Sequence, residues 1–388
     1  MSEREITLGN GTGPLKGVKV VEIAGIGPSP HGCMMLADLG ADVIRVERPG
    51  GQMLTGGAND LLNRGRPSVA LNLKDPAAIE TVLQLVEGAD VLVEGMRPGV
   101  LERLGLGPEV LHARNPRLVV ARMTGWGQDG PLAQSAGHDM NYVAITGSLH
   151  GLGQDKSRPH FPTNLLGDFG GGSTYLVIGI LAALLEARTS GQGQVVDAAI
   201  VDGTAVLNAM TTAMLASGGY KAERAASLLD GGVPYYDIYE TSDGKHMSVG
   251  ALEPQFYDEF VRLLGIAETA PDRWDATQAD ELRRQITEKF LARTQAEWIE
   301  LFEGTEACVA GIIPMDEAVR HPHLVARGTF VEHHGQVQPA PAPRFSRTTA
   351  ELGLAPAPKP GADTRRALQA WGVADVDGLV ESGAAVQA

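Results

Sequence analysis

Short β-branched runs alternate with segments of helical spacing along the first third of the chain. Residues 18–24 (V-K-V-V-E-I-A) read as a strand that stops at G-I-G-P-S-P; residues 31–39 have helical spacing, and residues 42–47 form a second strand. Residues 68–74 (S-V-A-L-N-L-K), 89–95 (A-D-V-L-V-E-G) and 117–124 (R-L-V-V-A-R-M-T) predict further strands, with a helix entered through Pro76 between the first two. Strands and helices alternating at this spacing predict a parallel sheet covered on both faces, with ligands beyond the carboxyl ends of the strands.

The pattern then changes. A glycine-rich turn, G-W-G-Q-D-G-P, leads to a helix expected over 140–146, and Gly170-Gly171-Gly172 precede an apolar helix expected over about 173–187. V-V-D-A-A-I is a strand and residues 203–215 a helix; beyond Gly218-Gly219, two short strands flank an Asp243-Gly244 turn, and helical spacing prevails over 254–327. The expected fold class is therefore α/β, a Rossmann-like large domain with a parallel sheet plus a smaller α+β domain. Residues 1–217 form the first part of the large domain with its linker helix, 218–329 the small domain, and 330–388 a return linker and the C-terminal part of the large domain. The proline-rich region 330–349 is expected to be extended, with helices over 364–371 and 376–383 after it.

Composition narrows the function. With 43% hydrophobic and 20% charged residues, the 388-residue chain can bury a large core, which excludes general disorder. A net charge of -15 disfavours nucleic acid or an anionic membrane as partner and leaves an anionic ligand only a local basic patch. Cys33 and Cys308 lie in no metal-binding spacing and read as reduced core thiols. The first residues carry no apolar leader, and the longest apolar run, 175–185, is short of the roughly 18 residues of a membrane span. The expectation is a cytoplasmic protein whose segment before Pro14 is loose. His321-Pro322-His323 and Glu332-His333-His334 do not complete a ligand set, so no metal is expected.

Candidate chemistry concentrates between Gly137 and Ser173. G-H-D-M-N-Y supplies an imidazole, His138, and N-L-L-G-D-F-G-G-G-S supplies a carboxyl group, Asp168, each beside glycines where a loop meets a helix. Removing and replacing a proton on opposite faces of one carbon needs two such groups. Asp139 is expected to cap the helix over 140–146, leaving backbone amides for a developing oxyanion. For Asp168, a helix N-terminus favours the ionised form and burial opposes it, a contest the sequence leaves open.

The loop Gly25–Pro30 invites a dinucleotide reading with Glu47 as the ribose ligand, but Pro30 replaces the third glycine of G-x-G-x-x-G and offers no amide. Arg45 and Arg48 flank Glu47 and suit a phosphate better. Arg48, Lys74, Arg97 and Arg103 all fall at or just after strand ends, which points to a polyphosphate site on one edge.

Several motifs together, V-V-E-I-A-G-I-G-P-S-P, L-A-D-L-G-A-D-V-I-R-V-E-R-P, E-G-M-R-P-G-V, R-M-T-G-W-G-Q-D-G-P, G-H-D-M-N-Y and N-L-L-G-D-F-G-G-G-S, carry a family resemblance. The chain resembles the α-methylacyl-CoA racemases, a branch of the family III CoA-transferase (CaiB/BaiF) superfamily, over nearly its whole length. The resemblance implies an interlocked homodimer in which the small domain of one subunit covers the active site of the other. It implies His138 as the (S)-face and Asp168 as the (R)-face acid/base, Glu253 on the imidazole across the interface, Asn164 orienting the Asp168 carboxylate, and Asp139 in the catalytic set. CoA contacts are implied at Arg48, Leu71, Asn72, Leu73, Lys74, Gly95, Met96, Arg97, Arg103, Gly137, His138, Asp139, Met140, Asn141 and Tyr142. The acyl-CoA is the substrate and no separate cofactor is implied.

Three functions fit these residues: 1,1-proton transfer at the α-carbon of a 2-methylacyl-CoA, CoA transfer through an Asp168 anhydride, and non-catalytic CoA or dinucleotide binding. The first uses both His138 and Asp168; transfer has no evident need of His138, and a pure binder needs neither. Met34, Met35, Met210 and Met214 are candidates for an acyl-chain surface.

Overall fold

The computed structural model describes residues 5–51, 59–154 and 156–388, which divide into two compact units. The first holds a seven-stranded sheet. Its strands β1 (Lys19–Ile23), β2 (Asp42–Glu47), β3 (Ser68–Leu71), β4 (Val91–Glu94), β5 (Val119–Thr124) and β6 (Val195–Ala199) lie in the order β3-β2-β1-β4-β5-β6, all parallel. The short strand Ala385–Val386 adds antiparallel outside β3. The order reverses between β1 and β4, so their carboxyl ends open the crevice where ligands of such sheets bind.

Near-continuous apolar strands suit a sheet covered on both faces. Val21, Ile44, Val69 and Leu92 face one core, together with Val82 and Leu85 of α2 (Pro76–Glu87). Val20, Val43, Val91 and Val93 face the other, with Leu36 of α1 (Pro28–Asp38) and Leu176, Val177, Ile180 and Leu184 of the helix Thr174–Ser190. Helices α3 (Val100–Arg103) and α4 (Pro108–Arg114) follow β4, and α5 (Asp139–Ile145) follows β5.

The second unit comprises Gly147–Pro162 and Asn208–Pro322. Strands Tyr236–Glu240, His246–Gly250 and Val309–Ile312 form an antiparallel sheet, and Phe260, Ile286, Phe290, Trp298 and Phe302 from three helices make its core. Its limits differ from those read along the chain because the segment 147–162 is held by later residues. Arg224 donates to the carbonyls of His150 and Lys156, and Gln154 to the Asp237 carboxylate. The helix expected over 203–215 is two, Ile200–Leu207 and Ala209–Ala216, broken at Asn208.

Further local expectations are corrected. The segment before Pro14 is tied down: the Gly9 amide donates to both Asp42 carboxylate oxygens at 2.9 and 3.0 Å. Gly11 and Gly13 lie so close to Gly40 and Leu39 that neither has room for a side chain. The region 330–349 contains a hairpin, Phe330–His333 with Gln336–Pro339, whose two turn residues His334 and Gly335 have φ of 51 and 75°. Cys33 is buried but Cys308 is exposed.

The apolar helix starts eight residues earlier than expected. A π-helical segment, Leu165–Ser173, runs straight into Thr174–Ser190. This 26-residue stretch is long and apolar enough to cross a membrane, yet its buried residues pack on the sheet. The glycines explain the π-turn. A side chain at Gly171 would meet Thr204 Oγ1 at 2.4 Å and one at Gly203 would meet the Gly171 carbonyl at 1.9 Å, so glycine on both sides lets the two helices touch backbone to backbone.

Candidate active site

Asp168 sits in the first turn of the π-helical segment rather than ahead of a helix. Its backbone amide donates to Asp139 Oδ2 at 2.8 Å, and Asn164 Nδ2 donates to its own Oδ2 at 3.3 Å. Gly27, in the loop after β1 with φ of 69°, packs against this carboxylate; a Cβ there would stand 3.3 Å from Oδ2. Burial pushes the Asp168 pKa up, the Asn164 amide pulls it down, the Asp139 charge raises it and His138 lowers it. Burial decides the contest left open by the sequence.

His138 occupies the N-cap of α5, exposed, with its amide donating to Asn141 Oδ1 at 3.0 Å. Asp139, expected to be the cap, is instead the first helical residue; its buried side chain turns to the Asp168 amide, and its Oδ1 has no partner among the described residues. The amides of Asp139 and Met140 fill the first two helical positions, which have no carbonyl acceptor within a helix.

Tyr142 fixes the approach to this helix. Its hydroxyl donates to the Gly137 carbonyl, its ring meets Trp126 edge-on at 4.7 Å, and it covers Gly125 so closely that a Cβ there would lie 2.0 Å from the ring. Beside it opens a cavity of about 190 Å³ lined by Gly95, Arg97, Thr124, Trp126, Gly137 and His138 among others. It lies past the ends of β4 and β5, next to the switch point.

Arg48, Lys74, Arg97 and Arg103 follow β2, β3 and β4 or end α3, and all four are exposed. None is ion-paired among the described residues, which leaves four cations for an anion on one edge of a protein of net charge -15. Arg45 does not join them: it is buried and bound to Glu22 and Glu47, and Glu47 also accepts from Ser68 Oγ at 2.8 Å. Neither residue is available to a phosphate or a ribose.

The other expected contacts divide by exposure. Asn72, Leu73, Gly95, Met96, Gly137, Met140 and Asn141 are at least partly accessible, whereas Leu71 is wholly buried behind Ala385 and the side chains of Asp139 and Tyr142 are turned inward. Met34 is core, Met35 packs against it, and Met210 and Met214 belong to the second unit. Glu253 also lies in the second unit, as N-cap of the helix Pro254–Leu264.

Two buried charge networks went unread in the sequence. Glu22, with no exposed surface, binds Arg45 and Arg66, and Arg66 Nη1 donates to the Pro30 carbonyl at 2.9 Å, holding one end of the loop that carries Gly27. Glu94 accepts from the Met96 amide at 2.7 Å and from Arg122 Nε at 2.8 Å, and Arg122 reaches on to Glu102. That chain fixes the loop bearing Arg97. The signal was a charge inside each apolar strand, in V-V-E-I, V-L-V-E and V-A-R-M, since a charge buried in a parallel sheet must be paired.

The fold and these residues define a doubly wound α/β protein whose site sets an imidazole and a carboxyl group beside a cationic edge. The chain belongs to CoA-transferase family III, whose domain matches residues 15–364. It is 41% identical over 360 residues to the α-methylacyl-CoA racemase of Mus musculus, covering 92% of this chain and 93% of that one. Against the α-methylacyl-CoA racemase of Homo sapiens it is 40% identical, with the same coverage. Among solved structures, a CaiB/BaiF family protein from Brucella suis superimposes with a TM-score of 0.77 at 28% identity, covering 92% of this chain and all of that one.

Proposed function

We propose that the protein is a racemase that interconverts (R)- and (S)-2-methylacyl-CoA thioesters by 1,1-proton transfer through an enolate. The observation that carries this is the Asp168 carboxyl group: half-buried, with its pKa raised chiefly by burial, on a segment whose amide is bonded to the residue next to His138. The identity to two α-methylacyl-CoA racemases supports it.

A thioester acidifies its α-proton, and an enolate needs donors where its oxygen gains charge. The amides of Asp139 and Met140 would supply them. Neutral His138 with protonated Asp168 processes one epimer: the imidazole removes the proton and the carboxyl group returns one on the opposite face. Imidazolium with carboxylate processes the other. Arg48, Lys74, Arg97 and Arg103 hold the phosphates of the CoA moiety, with Gly95, Met96 and Asn72 beside them.

In the same reading the enzyme works in the cytoplasm as a homodimer, without a separate cofactor and without a nucleic-acid or membrane partner. The partner's Glu253 steadies the His138 imidazole. Exposed apolar residues of the first unit, Ile178, Leu185, Val206 and Leu207, support an association between subunits. Light scattering tests it, and mixing H138A with E253A protein tests the sharing, since activity should return in hybrid dimers.

The test of the reaction is to incubate one epimer of a 2-methylacyl-CoA with the protein in D₂O. Loss of the α-proton signal with inversion is expected; an unchanged spectrum sinks the proposal. The family's name favours a second reading, CoA transfer with Asp168 as nucleophile. A hydroxylamine-sensitive CoA adduct on Asp168 would establish it.

A further inference from the structure

Helix α1 and the π-helical segment meet at His31. Its Nδ1 lies 2.7 Å from Ser173 Oγ, and its ring is tilted against Phe169 with centroids 4.4 Å apart. The Ser173 hydroxyl also reaches the Phe169 carbonyl at 3.1 Å; in the tautomer that carries its proton on Nδ1, His31 donates to Ser173 Oγ and leaves the hydroxyl proton for that carbonyl. Ser173 has no exposed surface, and Gly32 alongside is packed so that a Cβ would come within 2.9 Å of Leu176. Burial, with Arg64 and Arg66 nearby, lowers the His31 pKa to about 4, so the ring is neutral across the working range.

These contacts matter because of what lies one turn away on each side. The His31 amide donates to the Gly27 carbonyl at 3.2 Å, and Phe169 follows Asp168 directly. Gly27 and Asp168 are the pair whose packing confines the carboxylate. We infer that His31, acting through Ser173 and Phe169, is a positioning residue that sets the gap between Gly27 and Asp168 and so aims the Asp168 carboxyl group. The inference rests on the racemase reading and adds a residue that touches neither substrate nor the reacting carbon.

Steady-state ratios cannot expose such a role, because the equilibrium constant ties the two directions together. Proton exchange into D₂O can, since each epimer presents its α-proton to one base. The D168N and H138A proteins first assign the faces: exchange lost in D168N and retained in H138A belongs to Asp168. In H31L and S173A, exchange on the Asp168 face should fall roughly ten- to hundredfold, as for a misplaced catalytic group, while the His138 face stays within about twofold. H31N keeps a donor at the δ position and should restore the Asp168 face to within about threefold of wild type, a rescue that lost packing alone would not give. S173A removes a single atom and keeps the test available if H31L does not fold.

Equal losses on both faces, wild-type exchange in H31L and S173A, or an H31N as slow as H31L would each overturn the inference. If D168N and H138A themselves fail to separate the faces, the racemase reading is what falls.

Discussion

The Asp168 amide is bonded to the Asp139 carboxylate at 2.8 Å, and Asp139 is the covalent neighbour of His138. One hydrogen bond therefore joins the segment carrying the carboxyl group to the helix start carrying the imidazole. The two groups stand thirty positions apart in sequence, and Asp139 and Val143 pack against Gly167 beside the same bond.

Removing the Asp139 charge should move the Asp168 titration downward, because that charge raises the Asp168 pKa. Asp139→Asn keeps an oxygen for the amide, so the acid limb of the pH–rate profile should shift toward lower pH while kcat drops about three- to tenfold. Asp139→Ala loses the bond as well and should lower kcat by about a hundredfold. A profile of kcat against pH with an unmoved acid limb in D139N would contradict this.

Asp168 should lower stability at neutral pH. Its folded-state pKa is raised, so its contribution to stability is complete below the unfolded pKa and disappears as pH rises through the folded value. Asp168→Asn escapes that loss. Its Tm should exceed wild type by roughly 1–3 °C at pH 8 and match it near pH 3, if both remain folded there. Calorimetry at several pH values is the measurement; a difference that did not change with pH would refute the assignment.

The unpaired cations on the sheet edge should act on binding alone. Arg97→Ala is expected to raise KM for an acyl-CoA about five- to tenfold, equivalent to about 1–1.4 kcal/mol, with kcat nearly unchanged. The penalty should shrink in high salt and vanish for the matching acyl-pantetheine thioester, which lacks the nucleotide phosphates. Equal losses on both substrates would place Arg97 elsewhere.

Gly125 should tolerate no side chain. With a Cβ only 2.0 Å from the Tyr142 ring, Gly125→Ala must displace the tyrosine that holds the Gly137 carbonyl. A destabilisation of roughly 2–3 kcal/mol is expected in urea titration, together with loss of activity. Gly125→Ala, Tyr142→Leu in combination should recover part of the stability.

The strands were legible because an apolar run in a sheet covered on both faces has few competing explanations, and β2 falls on the residues its pattern marks. The Asp243-Gly244 turn was legible for a local reason, a residue pair few other conformations favour. The π-turn around Asp168 was not. Its cause is the approach of Thr204 to Gly171, more than thirty residues away, and no local spacing encodes it. His138 and Asp168 could be picked out by residue type and neighbouring glycines. Asp139 was given the cap because Asp often is one; its amide partner, Asp168, lies beyond any local rule. The hairpin after Phe330 was hidden by the prolines that follow it, although His334-Gly335 is a turn pair of the kind that closes two-residue loops.

The strand Ala385–Val386 covers the outer edge of β3, and the Asp363 side chain accepts from the Ser68 amide at that strand's start. Both residues are synthesised after all of Asn208–Pro322. As the chain leaves the ribosome, the second unit can thus fold while β3 still presents bare amides and carbonyls to any passing strand. Cells making this protein carry that open edge for the time needed to translate some three hundred residues, a natural window for chaperone capture or for aggregation when expression is fast.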